Sequence, residues 1–207
     1  MTNPTLSLST SVRTADLLVL GVAAGPTGPV VTAAGLSDEQ SADLSAAATA
    51  IGATGKADEV LRLPGTPFDL PPLMLTGLGD KADAYADEVL RRAAGAALRA
   101  AAAATVAVAL PTGDDVGRVE AVGLGAFIGA YRYPGKPPAA TPRPRPTKII
   151  VVVGATKGLK PATTRARAVG EGIHLARRLV DTPPGKMTPA VLADEAEDAL
   201  KDTDVKV

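Results

Sequence analysis

The chain has 207 residues, 46% of them hydrophobic and 21% charged, a globular profile with room for one domain, or one domain and a piece of another. It contains no cysteine and a single histidine, His174, which excludes disulfides, zinc–thiolate sites, thiol nucleophiles and His-rich metal centres. Its 22 basic and 22 acidic residues cancel to zero net charge, and no apolar run approaches the ~20 residues of a membrane span.

Aromatic residues make up 2% of the chain, so the core must be built from Leu, Val, Ile and much Ala. Residues 1–10 lack the basic stretch and apolar block of a secretory leader. A cytoplasmic location with no membrane partner is the expectation.

In chain order, the run 16–25, DLLVLGVAAG, predicts a buried strand. Ser37 followed three residues later by Gln40 is a capping-box pattern, and Leu44, Ala47, Ala48 and Ile51 continue at helical spacing, predicting a helix over 36–51. A short strand is expected at 59–63, closed by Pro64 and Gly65. The run 73–79 predicts a strand entering a glycine turn, with Asp80 placed to cap a helix over 81–104. TVAVAL at 105–110 is a further buried strand. A helix is expected over 114–133, with acids in its first turn where they favour the dipole. KIIVVVG at 148–154 is the strongest strand pattern in the chain. Strands alternating with helices at this pace predict an α/β fold, a mixed sheet flanked by helices. The segment 134–146 carries six prolines and is expected to be an extended surface loop.

Beyond residue 154 the pattern changes. Ala166, Val169, Ile173, Ala176 and Val180 alternate spacings of three and four, which predicts a helix with a narrow apolar seam. Gly170 and Gly172 lie inside it, each costing up to ~1 kcal/mol unless close packing needs them. His174 sits beside the seam and reads as a packed or partly exposed helix residue, not a ligand. Thr188 with Pro189 at the first helical position starts another helix, running to about residue 201. DVKV at 204–207 looks like the opening of a strand, so the chain is expected to break off at the start of a second α/β domain.

The motifs that suggest chemistry have simpler readings beside them. Gly77, Gly79 and Ala82 fit the relaxed dinucleotide pattern after a strand, but the acid wanted about twenty residues on is absent from 98–104. An acid at Asp80 would also repel a pyrophosphate. Gly55-Lys56 lacks the other residues of a P-loop. Asp114 and Asp115 form a carboxylate pair that could hold Mg²⁺, though a helix N-terminus explains them with less. Phe127 and Tyr131, four apart, read as core contacts. Between Glu120 and Glu171 there is no acid, while the interval holds Arg132, Lys136, Arg143, Arg145, Lys148, Lys157, Lys160, Arg165 and Arg167. This stretch could face a polyanion, or be a solvated face whose counter-charges lie elsewhere in the fold.

Three stretches carry a resemblance. ARRLVDTPPGKMTP at 176–189, followed by VLADEA at 191–196, resembles the linker of the cytosolic leucyl aminopeptidases, the two-metal peptidase family M17 that includes bacterial aminopeptidase A. That linker reads Ala-Arg-x-Leu-Val-Asn-Thr-Pro-Pro, then Thr-Pro and Leu-Ala. Thr182, Pro183, Pro184, Thr188, Pro189, Leu192 and Ala193 match it. Asp181 stands where Asn is usual, and Gly185-Lys186 departs from the usual Asn or Ser after the prolines. LTGLGDK at 75–81 is similar to the family's Val-Gly-Leu-Gly-Lys, and VGLGAFIGAYRYPGK at 122–136 to its Glu-Gly-x-x-Leu-Gly-x-Tyr-Arg-Phe.

The resemblance implies a macro-domain-like α/β unit at 1–160, a linker helix and loop at 161–187, and the start of a catalytic domain at 188–207. It places the family's metal ligands in the C-terminal domain. The signature Asn-Thr-Asp-Ala-Glu-Gly-Arg-Leu and the Gly-Lys-Gly segment are absent here, so no catalytic, cofactor-binding or metal-binding residue carries over. It implies two divalent ions, Mn²⁺ or Zn²⁺, for the parent activity, a C-terminal catalytic domain as partner, and a homo-oligomer, typically a hexamer. Two other readings remain. One is a macro-type module for ADP-ribose or a related nucleotide. The other is nucleic-acid binding through Arg143, Arg145, Lys148, Lys157, Lys160, Arg165 and Arg167.

Overall fold

The computed structural model describes residues 3–13, 15–135, 143–201 and 203–205. Its centre is β2 (Leu17–Gly25), a nine-residue strand whose residues alternate between two cores. Leu18, Leu20 and Val22 enter one core, and Leu17, Val19 and Ala23 the other, as the two-residue period of a strand requires.

The other strands are β1 (Thr5–Ser9), β3 (Gly28–Thr32), β4 (Val60–Leu63), β5 (Leu73–Asp80), β6 (Thr105–Ala109) and β7 (Lys148–Val152). They form one sheet in the order β1-β7-β6-β2-β5-β4, with β3 paired to β2 off that path. β1, β7, β6, β2 and β5 are parallel, and β3 and β4 run antiparallel to their neighbours. One edge of β2 changes partner along its length. Leu17–Leu20 pair with β6, and Gly21–Gly25 pair with β3 in a hairpin.

Five helices follow the sequence pattern: α1 (Asp38–Ala50), α2 (Asp87–Ala100), α3 (Val116–Gly129), α4 (Lys160–Asp181) and α5 (Pro189–Leu200). α1 opens with the expected capping box, both reciprocal bonds between Ser37 and Gln40 being present. Its Leu44 and Ala48 cover the face carrying Leu18, Leu20, Ile150 and Val152. α2, α3 and the start of α4 cover the opposite face, against Val19, Val106, Val108, Ile149 and Val151. The result is the expected mixed sheet between helices. α2 and α3 pack with little side chain between them: a Cβ on Gly125 would overlap the Arg91 carbonyl oxygen. Alanine and glycine thus do in this core what aromatics do elsewhere, trading area per residue for close backbone approach.

Four expectations need correction. β5 continues through Asp80, whose neighbour Lys81 donates its N–H to Ala24 O. α2 therefore begins only at Asp87, behind Ala86, which makes no side-chain cap. β1 and β3 have no counterpart in the predicted strands. Of the apolar seam on α4 only Ala166 is buried: Val169 is 49% and Val180 84% exposed, and the packed face is Ala162, Thr163, Ala166, Gly170 and His174. Asp204 and Val205 form no strand, and Lys206 and Val207 lie outside the described residues. Of the proline-rich segment, 136–142 lies outside them too, Arg143 and Arg145 are exposed, and Pro146 is buried.

Candidate functional site at the junction of α3, α4 and α5

The inner stripe of α4 repeats every four residues, Ala162, Ala166, Gly170 and His174, so His174 arrives over the end of α3. Its ring lies 4.7 Å from that of Phe127 and 5.2 Å, edge-on, from that of Tyr131. Nε2 lies 2.8 Å from Phe127 O, and Nδ1 lies 3.2 Å from the side-chain oxygen of Asn3. Both ring nitrogens are engaged, so of the two states the sequence allows, packed or partly exposed, His174 takes the packed one. Burial, aided by the nearby Arg177 cation, holds its pKa below the ordinary 6.5 despite the Phe127 bond.

One turn on, Arg177 places its guanidinium 4.1 Å above the Tyr131 ring, a cation–π contact. The Tyr131 hydroxyl donates to Asp181 Oδ2 at 2.9 Å. Burial first, and then this bond, push the Tyr131 pKa up to about 12, so the phenol stays protonated at neutral pH. On the other side Arg178 makes a two-pronged bond to Glu195 of α5, Nη1 to Oε1 at 2.6 Å and Nη2 to Oε2 at 2.5 Å. That pairing lowers the Glu195 pKa. Asn3, Tyr131, Arg132, Arg145, His174 and Glu195 are among the residues around an open groove of about 1030 Å³ between these helices. The chemistry on offer is positional. Tyr131, His174, Arg177 and Arg178 are each tied to a neighbour on another element, and none of them is an activated nucleophile.

The basic run does not fold into one patch. Arg143 and Arg145 precede β7 and Lys148 opens it, whereas Lys157 and Lys160 lie beyond its other end, about 16 Å away for five residues of strand. Arg165 pairs with Glu120 at 2.7 Å and Arg167 with Glu171 at 3.6 Å. Arg132 donates to the carbonyls of Gly129 and Tyr131. Counter-charges from α3 and α4 therefore meet part of the interval.

The glycine motif is spent on self-packing. A Cβ on Gly77 would overlap Lys56 O, Gly79 N–H donates to Gly55 O at 2.8 Å, and no helix follows directly. The Glu59 carboxylate holds the same loop, accepting from Thr54 and Gly55 N–H groups. Asp115 caps α3 through Arg118 N–H, and Asp114, at φ 55°, accepts from the N–H groups of Gly154 and Ala155 at 2.8 Å each. Among the described residues no group of three or more His, Asp or Glu comes together to hold a metal. This donor set does not fit a two-metal centre, so no metal step is assigned to it.

Sequence reasoning missed Asn3 and the Arg178–Glu195 pair. The second joins residues seventeen apart across a proline turn, for which no local spacing rule exists. A helical glycine four residues before a lone histidine was the available signal for the buried stripe.

Residues 19–135 match the model of the cytosol aminopeptidase family, N-terminal domain. A probable cytosol aminopeptidase of Micrococcus luteus is 39% identical over 204 residues, covering 94% of this chain and 40% of the relative. One from Leifsonia xyli subsp. xyli is 36% identical over 215 residues, covering 100% of this chain and 41% of the relative. The fold is shared with a tomato leucine aminopeptidase variant, at TM-score 0.71 and 23% identity, covering 97% of this chain and 43% of that one. It is also shared with a bottromycin maturation enzyme solved with Mn, at TM-score 0.65 and 24% identity, covering 90% and 36%. The chain spans about 40% of the length of the curated relatives it matches. It belongs to the cytosol aminopeptidase family and carries that family's N-terminal domain.

Proposed function

We propose that residues 1–160 are the non-catalytic assembly or access domain of a leucyl aminopeptidase, 161–187 its linker helix and loop, and 188–207 the start of its catalytic domain. The observation that carries this reading is the share of the relatives that is matched. The chain aligns over nearly its whole length with about two fifths of proteins named cytosol aminopeptidase, and among its described residues no three His, Asp or Glu gather to hold a metal. The parent activity is release of N-terminal amino acids from peptides, assisted by two divalent ions such as Mn²⁺ or Zn²⁺ bound in the catalytic domain. A homo-hexamer in the cytoplasm is the expected assembly. No helix among the described residues is long and apolar enough to cross a membrane.

The task of this chain is then mechanical. The sheet and α3 give a rigid base, Tyr131 and His174 seat α4 on it, and Arg178 directs α5. The testing experiment is hydrolysis of leucine p-nitroanilide by the 207-residue chain with added Mn²⁺ or Zn²⁺. No turnover is expected. Metal-dependent turnover that survives repurification overturns the reading.

A further inference from the structure

The last turn of α4 is gripped from two sides. Toward the sheet, Asp181 accepts from Tyr131, and Arg177 covers the same ring. Away from it, Arg178 reaches Glu195 through two parallel bonds. The contrast between the two sides is large. Tyr131 is buried at 9% exposure, whereas α5 has no buried residue at all. The turn between α4 and α5 is closed by local bonds, the Lys186 and Met187 N–H groups meeting Pro183 O and Thr188 capping α5. Local bonds fix the shape of a turn but not the direction of a helix about three turns long beyond it. Apolar burial does not fix that direction either. A planar fork does, because two parallel bonds constrain orientation as well as distance.

We propose that the Arg178–Glu195 pair is a latch that fixes the angle between α4 and α5, and with it the width of the groove beside His174. Glu195, Asp198 and Ala199 are the part of that groove's lining that α5 supplies, the rest including Asn3, Tyr131 and Thr147. With the fork closed, α5 holds this part of the lining in place. With it open, α5 swings about the Pro183–Pro184 turn and the groove loses it. The side chains of the pair are 36% and 26% exposed, enough for dissolved ions to reach them, so the latch loosens as salt rises. The inference concerns this chain's own residues and does not rest on the peptidase reading.

The absence of cysteine allows a direct test on the 207-residue chain. Spin labels are placed at Ala168→Cys on α4 and Glu197→Cys on α5, both exposed positions, and the distance distribution is measured by double electron–electron resonance. One narrow distribution is expected at low salt. Its width should at least double in Arg178→Ala, in Glu195→Gln and in about 1 M salt, with far-UV circular dichroism unchanged. The exchanged pair, Arg178→Glu with Glu195→Arg, should restore the narrow distribution. If Arg178→Ala fails to fold, Glu195→Gln on the unburied α5 decides the matter. An unchanged width in the folded single variants overturns the latch. So does broadening in both single variants that the exchanged pair leaves in place, because the effect then belongs to each side chain separately.

Discussion

Gly170 of α4 lies directly against Phe127 of α3: a Cβ built on it would stand 2.5 Å from Cδ1 and 2.9 Å from Cγ of that ring. Phe127 is fully buried and is the largest fully buried side chain among the described residues, so it has nowhere to retreat. Gly172, two residues on, meets nothing within 4 Å. Two glycines in one helix therefore have opposite value. Gly170→Ala should destabilise the chain by about 1–3 kcal/mol through overpacking. Gly172→Ala should stabilise it by up to about 1 kcal/mol, the helix-propensity difference. Urea unfolding of the two variants checks this, and equal shifts in the same direction would contradict the packing of α4 on α3.

His174 gives stability a pH dependence with a definite sign. In the folded chain its pKa is held below 6.5 by burial. In the unfolded chain it takes up a proton at the ordinary value, about 6.5. Between those two values the unfolded state binds more protons, so stability rises with pH across that window. The contribution is fully present above about pH 6.5 and is lost as pH falls toward the lowered folded value. This is the only histidine in the chain, so the side-chain part of the slope around pH 6 belongs to it. Urea midpoints should fall between about pH 7.5 and pH 5.5, and His174→Gln should flatten that part of the curve. A wild-type midpoint constant over the range would show that the ring is not desolvated.

The α/β layering was legible because β2, β6 and β7 are short apolar runs with turns at both ends, and α1 carries a full capping box. β1, TLSLS, was not, because Thr5, Ser7 and Ser9 around only two leucines on a half-buried edge strand resemble a polar terminus. β3, GPVVT, carries Pro29, which reads as a strand breaker but is tolerated beside a hairpin turn at a sheet edge. The start of α2 was misplaced because Asp80 looks like a cap while its backbone is still bonded into the sheet. The α4 seam failed for a physical reason. Hydrophobicity marks Val169 and Val180, yet the surface that meets Phe127 is made by backbone approach at Gly170 and by the flat ring of His174. Tertiary shape overrode the apolar period. The site's long-range pairs, Tyr131–Asp181 and His174–Asn3, join residues that only the finished fold brings together.

Asp114 separates a loop lock from a metal ligand. Its carboxylate accepts from Gly154 and Ala155, tying the end of β7 to the start of α3, and its backbone is left-handed at φ 55°. Asp114→Ala removes both bonds and places a Cβ residue poorly suited to that conformation. A loss of about 1.5–3 kcal/mol is expected. Asp114→Asn keeps an acceptor and tolerates the left-handed region, so it should cost less than half as much. Adding millimolar Mg²⁺ should leave the melting temperature of the wild-type chain unchanged. A magnesium-dependent rise that Asp114→Asn abolishes would turn the pair with Asp115 into a cation site.

α5 and β7 should differ sharply in local stability. β7 is hydrogen-bonded on both edges, to β1 and β6, and Ile149, Ile150, Val151 and Val152 are buried. Its amides can exchange only when the sheet opens, an event close to global unfolding. α5 has good local signals, with Thr188 accepting from Val191 N–H and Pro189 at the first helical position. It nevertheless buries no residue, and Val191 and Leu192 stand 36% and 47% exposed. A twelve-residue helix that is no more than half-buried, at Glu195, Ala196 and Leu200, is marginal in water, and each Leu or Val left outside forgoes about 1.5–3 kcal/mol of burial. Hydrogen exchange followed by mass spectrometry should therefore show amides of Val191–Leu200 exchanging at least about 100-fold faster than those of Lys148–Val152. If α5 is instead protected as strongly as β7 in the monomer, its apolar stripe is covered by the first domain, and the boundary proposed at residue 188 must move.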